Sequence, residues 1–473
     1  MLVLEILASR LLAPYVGVTL ETYTAIIGVV LAGISLGTWA GGRMADRVEP
    51  RRTLGLLLVG GGALALCTIP LIRVFGAAGL GQGPAAVVIL ALVGFFAPAA
   101  VLSAVAPTVV KLQLKDLAET GSVVGRLSAL GTAGAIVGTF LTGFVLVSAF
   151  PTRPIVLGVG GVLIVAGLIT WWRLRAGDAS RLAGPMVVAL VAGVLTVAAQ
   201  DPCEYESAYF CASVVEGLEP CGGRTLYLDT LRHSCVHLDD PTALDFSYAQ
   251  IMADVITTLG DGTEPVRALH IGGGGFTMPR YLEAVRPGSN SLVLELDPTL
   301  VRIAEQDLGL RRSERLRVRV GDARVGLKEQ PADHYDLVIG DAFGGQAVPW
   351  HLTTQQLVAQ VEATLTDEGV YAVNLIDYPP LGFARAEAAT LRTVFRNVAV
   401  IAPSERIDRQ EGGNVVLVAS NGPLDLEAIE AANRGRGDTD EVATGTRLER
   451  FIGDAPVLTD DYAPVDQLLT PLT

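Results

Sequence analysis

The first 199 residues are a succession of apolar blocks, each near the length of about 20 residues that a helix needs to cross a hydrocarbon core of ~30 Å. Seven candidates run over 1–18, 22–42, 53–72, 84–110, 127–149, 154–172 and 182–199, separated by Arg, Lys, Pro or Asp. In lipid such segments are confined to helices, because every backbone polar group must be paired within the protein. The first block carries Glu5 and Arg10 and starts abruptly at Met1. It lacks the basic start and small-residue cleavage site of a signal peptide, so it reads as a membrane helix. Small residues recur about four apart, as in "GTAGAIVGTFLTG" (131–143), a spacing that lets helices approach closely.

Charges in the connections give an orientation. The links after the second, fourth and sixth blocks hold Arg43, Arg47, Arg51, Arg52, Lys111, Lys115, Arg126, Arg173, Arg175 and Arg181, whereas the intervening links offer only Arg73 and Arg153. By the positive-inside rule the first set is cytoplasmic, so the chain leaves the seventh helix on the outer side. Four of the five cysteines, Cys203, Cys211, Cys221 and Cys235, fall just past that helix. An even group at the start of an extracytoplasmic domain reads as two disulfides of undetermined pairing. Zinc is the rival, but there is no CxxC spacing, and no metal is expected.

From residue 200 onward charges reach the density of a soluble domain. The net charge of -14 arises mainly there, which argues against nucleic acid and suits a cationic ligand. Three regions follow: a helical membrane domain over 1–199, a small β-rich segment over 200–260 that holds the four cysteines, and an α/β domain over 261–473. In the last, seven strand-like runs ("RALHIGG", "SLVLELD", "RLRVRVGD", "YDLVIGDAF", "GVYAVNLID", "NVAVIAP", "NVVLVAS") alternate, in the earlier part, with helical stretches. The expected fold is a doubly wound, Rossmann-like sheet of seven strands, of the methyltransferase-like kind. Ligands of such sheets sit outside the carboxyl ends of the strands. Those ends carry Gly272 to Gly275, then Glu295 and Asp297, Asp322, and Asp341. A glycine run lets backbone approach a nucleoside, and a carboxylate about 20 residues later can grip ribose hydroxyls. The loop "GGGGFTMPR" lacks the last glycine of GxGxxG, which disfavours a dinucleotide.

With those residues in place the chain resembles the spermidine synthase (polyamine aminopropyltransferase) family, in particular its bacterial branch with a fused multi-helix membrane segment. "LEILASRLLAPYVGVTLETYTAIIGVVLAGISLGTWAGGRMADR" resembles that branch's first helices, "LYLDTLRHSCVHLDDPTALDFSYAQIM" its small β-rich segment, and "VPWHLTT" and "LTDDYAPVDQLL" its later signatures. The resemblance implies aminopropyl transfer from decarboxylated S-adenosylmethionine, as co-substrate, to a polyamine such as putrescine. It places the base at Asp341, ribose contacts at Glu295, the adenine amine at Asp322, donor-loop contacts at Gly272 and Gly274, and the amine pocket at Tyr248 and His233. It also allows a homodimer. Three departures stand out. Gly275 and Phe276 occupy the loop where the family carries an acid, Gly344 stands in place of a second Asp, and Ala249 and Gln250 follow Tyr248 in place of His and Glu. Two other functions stay open: an S-adenosylmethionine-dependent methyltransferase, and a membrane protein that binds a polyamine or other cation without turnover.

Overall fold

The computed structural model describes residues 1–469 apart from 80, 82, 115, 175, 176, 178, 179, 218 and 219. Lys115 and Arg175, two of the charges used for orientation, lie outside the described residues. The chain divides into two compact units, Met1–Ala212 and Ser213–Thr473.

In the first unit six helices are long and apolar enough to cross a membrane: Leu20–Arg47, Pro50–Ala77, Pro84–Gln113, Leu117–Ala149, Thr152–Arg173 and Ser180–Ala198. The expected first span is also helical, but Leu2–Val16 has only 15 residues, short of a full crossing, so seven expected spans become six and one short helix. The chain turns at Gly17, which takes φ 69, and Thr19 caps the next helix by accepting the Thr22 N–H. Leu4, Leu7, Ala8 and Leu12 of the short helix are wholly buried among its neighbours. Its Arg10 does not pair with Glu5; it reaches Glu206 at 2.9 Å. Arg73 and Arg153, the two charges assigned to the outer side, converge on Asp201.

Close helix approach occurs, and its tightest points lie outside the stretch that the sequence pattern singled out. Gly33, Gly37 and Gly41 line one face of Leu20–Arg47, and a Cβ on Gly37 would stand 2.0 Å from the Ala100 carbonyl oxygen. In the stretch 131–143, by contrast, a Cβ on Gly138 would only touch Val3, at 3.8 Å, and among the described residues Gly131, Gly134 and Gly143 face no neighbouring helix within 4 Å. That helix leaves most of its surface outside the bundle, with Leu130, Val137, Phe140 and Phe144 exposed.

The boundary between units falls inside the second of two short antiparallel strands, β1 (Tyr205–Glu206) and β2 (Cys211–Glu216). A hairpin follows, β3 (Arg224–Leu228) and β4 (Leu231–Val236). Cys203 and Cys211 stand at disulfide distance with Cα atoms 5.1 Å apart, as do Cys221 and Cys235 at 5.9 Å, so of the pairings that the sequence left open these two have the partners within reach.

The second unit is built on one mixed sheet. Its strands are β5 (Arg267–Ile271), β6 (Asn290–Glu295), β7 (Leu316–Val320), β8 (Tyr335–Gly340), β9 (Leu365–Asp377), β10 (Asn397–Pro403), β11 (Gly413–Ser420) and β12 (Asp440–Ala443), in the order β12-β10-β11-β9-β8-β5-β6-β7. The five strands from β7 to β9 are parallel, and β11, β10 and β12 add antiparallel pairs. All seven expected strands are present, and β12 makes eight. Its sequence, Asp-Glu-Val-Ala, has no apolar run of strand length, and its acids suit an unpaired edge. Burial on both faces explains why the central strands read as continuous apolar runs: Val338, Ala372, Val416 and Val418 are all under 2 % exposed.

Candidate active site

The chain order places the site. After β5 it winds outward through β6 and β7, then returns to add β8 on the other side of β5, so the carboxyl ends of β5 and β8 flank the point where winding reverses. Gly272 follows β5 and Asp341 follows β8, and the two touch through backbone. Gly272 takes φ 96, and a Cβ there would lie 2.2 Å from the Asp341 carbonyl oxygen, so only glycine fits. The Asp341 N–H donates to the Ile271 carbonyl at 2.9 Å, and the Gly272 N–H to the Leu294 carbonyl at 2.9 Å.

Glu295, at the end of β6, binds this loop. Its Oε2 accepts the N–H groups of Gly273 at 2.8 Å and Gly274 at 3.3 Å, and its Oε1 accepts that of Asp297 at 2.8 Å. Burial raises its pKa, and these three donors work against that rise. Phe276 adopts φ 55 at the mouth of the helix Thr277–Val285 and is wholly buried, its ring so close over Gly273 that a Cβ there would meet it at 2.7 Å. Asp322 caps the helix Ala323–Leu327 by accepting the Val325 N–H at 3.0 Å, and its other oxygen lies 3.1 Å from His351 Nε2.

Beside the loop is a pocket of about 190 Å³. Asp341, Tyr248 and His233 line it, together with Asn374 and Asn414. Residues of β4 close the loop side: a Cβ on Gly274 would stand 3.1 Å from the His233 ring, and the Ser234 hydroxyl accepts the Gly275 N–H at 3.0 Å. Burial takes the His233 pKa down to about 4, so the ring is neutral at pH 7.

Asp341 is held by an amide chain. Asn414 Nδ2 donates to Asn374 Oδ1 at 2.9 Å, which fixes that amide so that its Nδ2 donates to Asp341 Oδ1 at 3.0 Å. The Tyr248 hydroxyl donates to the same carboxylate. Burial pushes the Asp341 pKa up to about 6, while the bonds from Asn374 and Tyr248 hold it from rising further. Burial and the Asp341 charge push Tyr248 well up, so it stays a proton donor. A carboxylate poised near pH 6 is ionised at neutral pH yet basic enough to accept a proton.

Five of the seven pocket and loop residues singled out from the sequence therefore meet at one place: Asp341, Tyr248, His233, Gly272 and Gly274. Glu295 joins them through the loop, and Asp322 lies outside the pocket lining. Asn374 and Asn414 were missed. Their strands read as plain apolar runs, and a single amide in such a run gives no spacing signal. Among the described residues, Cys221, Cys235 and Asp245 bring metal-type donors close together, but the two sulfurs are paired with each other.

No family model matches the chain. It is 29% identical over 216 residues to the polyamine aminopropyltransferase of Vibrio vulnificus, which covers 43% of this chain and 70% of that protein. The crystal structure of a probable spermidine synthase from Corynebacterium glutamicum matches with a TM-score of 0.51 and 27% identity, covering 56% of this chain and 98% of the other. The chain's second half is thus similar to the spermidine synthases. The likeness extends to methyltransferases. The bovine eEF1A lysine and N-terminal methyltransferase is 28% identical over 141 residues, 28% of this chain and 20% of that protein. The loop through Gly275 and Phe276 carries no acid of its own, and among the described residues Glu295 is the carboxylate bonded to it, at Gly273 and Gly274.

Proposed function

We propose that this protein is a membrane-anchored aminopropyltransferase that moves the aminopropyl group of decarboxylated S-adenosylmethionine onto an amine held at Asp341. One observation carries the proposal: a carboxylate with a pKa near 6, aligned by Asn374 and Tyr248, abuts the backbone of a glycine loop suited to a nucleoside. A sulfonium is already a good leaving group, so the protein's tasks are to align the amine and to remove its proton. A free alkylamine resembles lysine, whose pKa is about 10.4. Asp341 takes the proton as the amine nitrogen bonds to the methylene carbon and the sulfur leaves as a neutral thioether. The donor has a fitting cradle in Gly272 to Gly275 and Glu295, and Asp322 and its neighbour His351 are proposed to meet the adenine. The lipid bilayer would hold the first unit. The second unit is proposed to face outward, a reading supported by the charge bias and by the two cysteine pairs.

Methyl transfer from S-adenosylmethionine is the second reading, favoured by Gly275 and Phe276, which offer the donor's amine no carboxylate. Detergent-solubilised full-length protein incubated with either donor and a panel of amines separates them by mass spectrometry. Methylthioadenosine as by-product supports the proposal, and S-adenosylhomocysteine supports the second reading. Asp341→Asn should reduce turnover at least about a hundredfold. Amine binding that survives this substitution, with no turnover by wild type, would sink both. For orientation, a membrane-impermeant thiol reagent should label Cys235 on intact cells only after mild reduction.

A further inference from the structure

The pocket beside the glycine loop has a charge inventory that narrows its occupant. Among the described residues its lining contains one acid, Asp341, one guanidinium, Arg232, and the neutral ring of His233. Apolar and aromatic surface comes from Leu231, Phe246, Tyr248, Phe343, Ile376 and Tyr378. The nearby Asp377 offers nothing to the pocket: it is fully buried and accepts the backbone N–H groups of Tyr378, Phe383 and Ala384 at 2.8 to 3.0 Å. Asn374 is engaged by Asp341 and Asn414, and Asn414 gives its amide nitrogen to Asn374, so the amides add no charge to the lining. Aromatic faces can hold a cation, but Phe246 already carries Arg232, whose guanidinium carbon stands 5.0 Å from the ring centroid.

A diamine at neutral pH brings two positive charges. One can sit on Asp341, and the other would have to be desolvated among aromatic walls with no second carboxylate and with a guanidinium in the same lining, which is unfavourable on both counts. A monoamine meets neither penalty, and its body gains the contact of the aromatic walls. Resting on the proposed amine-transfer role of this pocket, we infer that the acceptor is a primary amine with a single positive charge and an apolar or aromatic body, not a diamine.

The test uses full-length protein in detergent, with 2-phenylethylamine, hexylamine and putrescine as probes, by calorimetric titration without donor and by turnover with each donor. Both monoamines should bind at least about tenfold more tightly than putrescine, a gap of about 1.4 kcal/mol. Gln346→Glu adds a carboxylate to the lining at nearly constant volume and should cut that gap to threefold or less, about 0.7 kcal/mol. Equal or tighter binding of putrescine, a ratio unmoved by Gln346→Glu, or no binding of any probe would overturn the inference. Preferred turnover of putrescine would overturn it while leaving aminopropyl transfer in place. If the binding preference holds with no turnover of any amine, the transfer role fails and the acceptor class stands.

Discussion

Replacing Asn374 with leucine should move the acidic limb of the pH profile upward, by an amount that the structure sets. Asn374 donates to Asp341 at 3.0 Å, and a hydrogen bond to a charged acceptor is worth about 1.5–3 kcal/mol. One pH unit corresponds to about 1.4 kcal/mol, so losing that bond raises the Asp341 pKa by about 1–2 units from its value of about 6. Asp341 is partly exposed, which favours the lower end of that range. At pH 6 the ionised fraction then falls from about a half to about a tenth, so kcat/KM drops about fivefold there and is unchanged at pH 9. The profile should be measured with saturating donor, and the carboxyl carbon of Asp341 titrated by NMR as a readout that needs no turnover. The substitution also leaves the Asn414 amide without its acceptor, so urea unfolding is needed to confirm that the variant is folded at each pH. A limb that stays in place or shifts to lower pH, in a folded variant, would refute the role given to the amide chain.

Other outcomes can be checked independently. Asp254 is 4% exposed, pushed by burial up to about 6 despite its pairing with Arg436. Its folded pKa lies above its unfolded value, so its contribution is complete below about pH 4 and is lost as pH rises through about 6; Arg436→Leu should cost about 3–5 kcal/mol at pH 8 and much less at pH 4, by urea unfolding. Gly272→Ala should lower the melting temperature and abolish transfer, since a Cβ would press on the Asp341 carbonyl at 2.2 Å; a variant with wild-type activity would show that the backbone contact is not needed. Cys221 and Cys235 are 14 residues apart, so the pair closes a loop whose removal should cost about 3 kcal/mol. Dithiothreitol should therefore lower the wild-type melting temperature more than that of Cys221→Ser/Cys235→Ser, in which only the Cys203–Cys211 pair remains to be reduced.

Much of the second unit was legible because its physics is local. The strands β5, β8, β9, β10 and β11 are largely buried on both faces and so stand out as apolar runs, whereas β7 (LRVRV) is half-exposed and alternates; the candidate site's loops follow the ends of β5 and β8. What escaped depends on tertiary context. β12 is too short and too acidic to read as a strand, yet it completes the sheet edge against β10. Asp322 looked like a ligand contact because it ends a strand, and it serves at least as a helix cap, a role with the same sequence signature. Asn374 and Asn414 matter only because β9 and β11 pair in a register that sets them opposite Val416 and Ile376, respectively, beside Asp341. In the first unit composition gave the helices, but the turn at Gly17 shortened the first, and the choice of glycines that pack against a neighbour could not be read from spacing alone.

The contact between Gly272 and Asp341 has a consequence for how such a pocket can diverge. The loop that would cradle the donor and the carboxylate that would deprotonate the acceptor are joined by main chain, with no side chain between them. Their separation is thus insensitive to most substitutions, while the surrounding walls, Phe246, Phe343, Gln346 and Tyr378, are side chains free to vary. A lineage could exchange one amine for another by altering those walls and keep the attack distance unchanged throughout, so new acceptors are reachable in single steps without passing through an inactive intermediate.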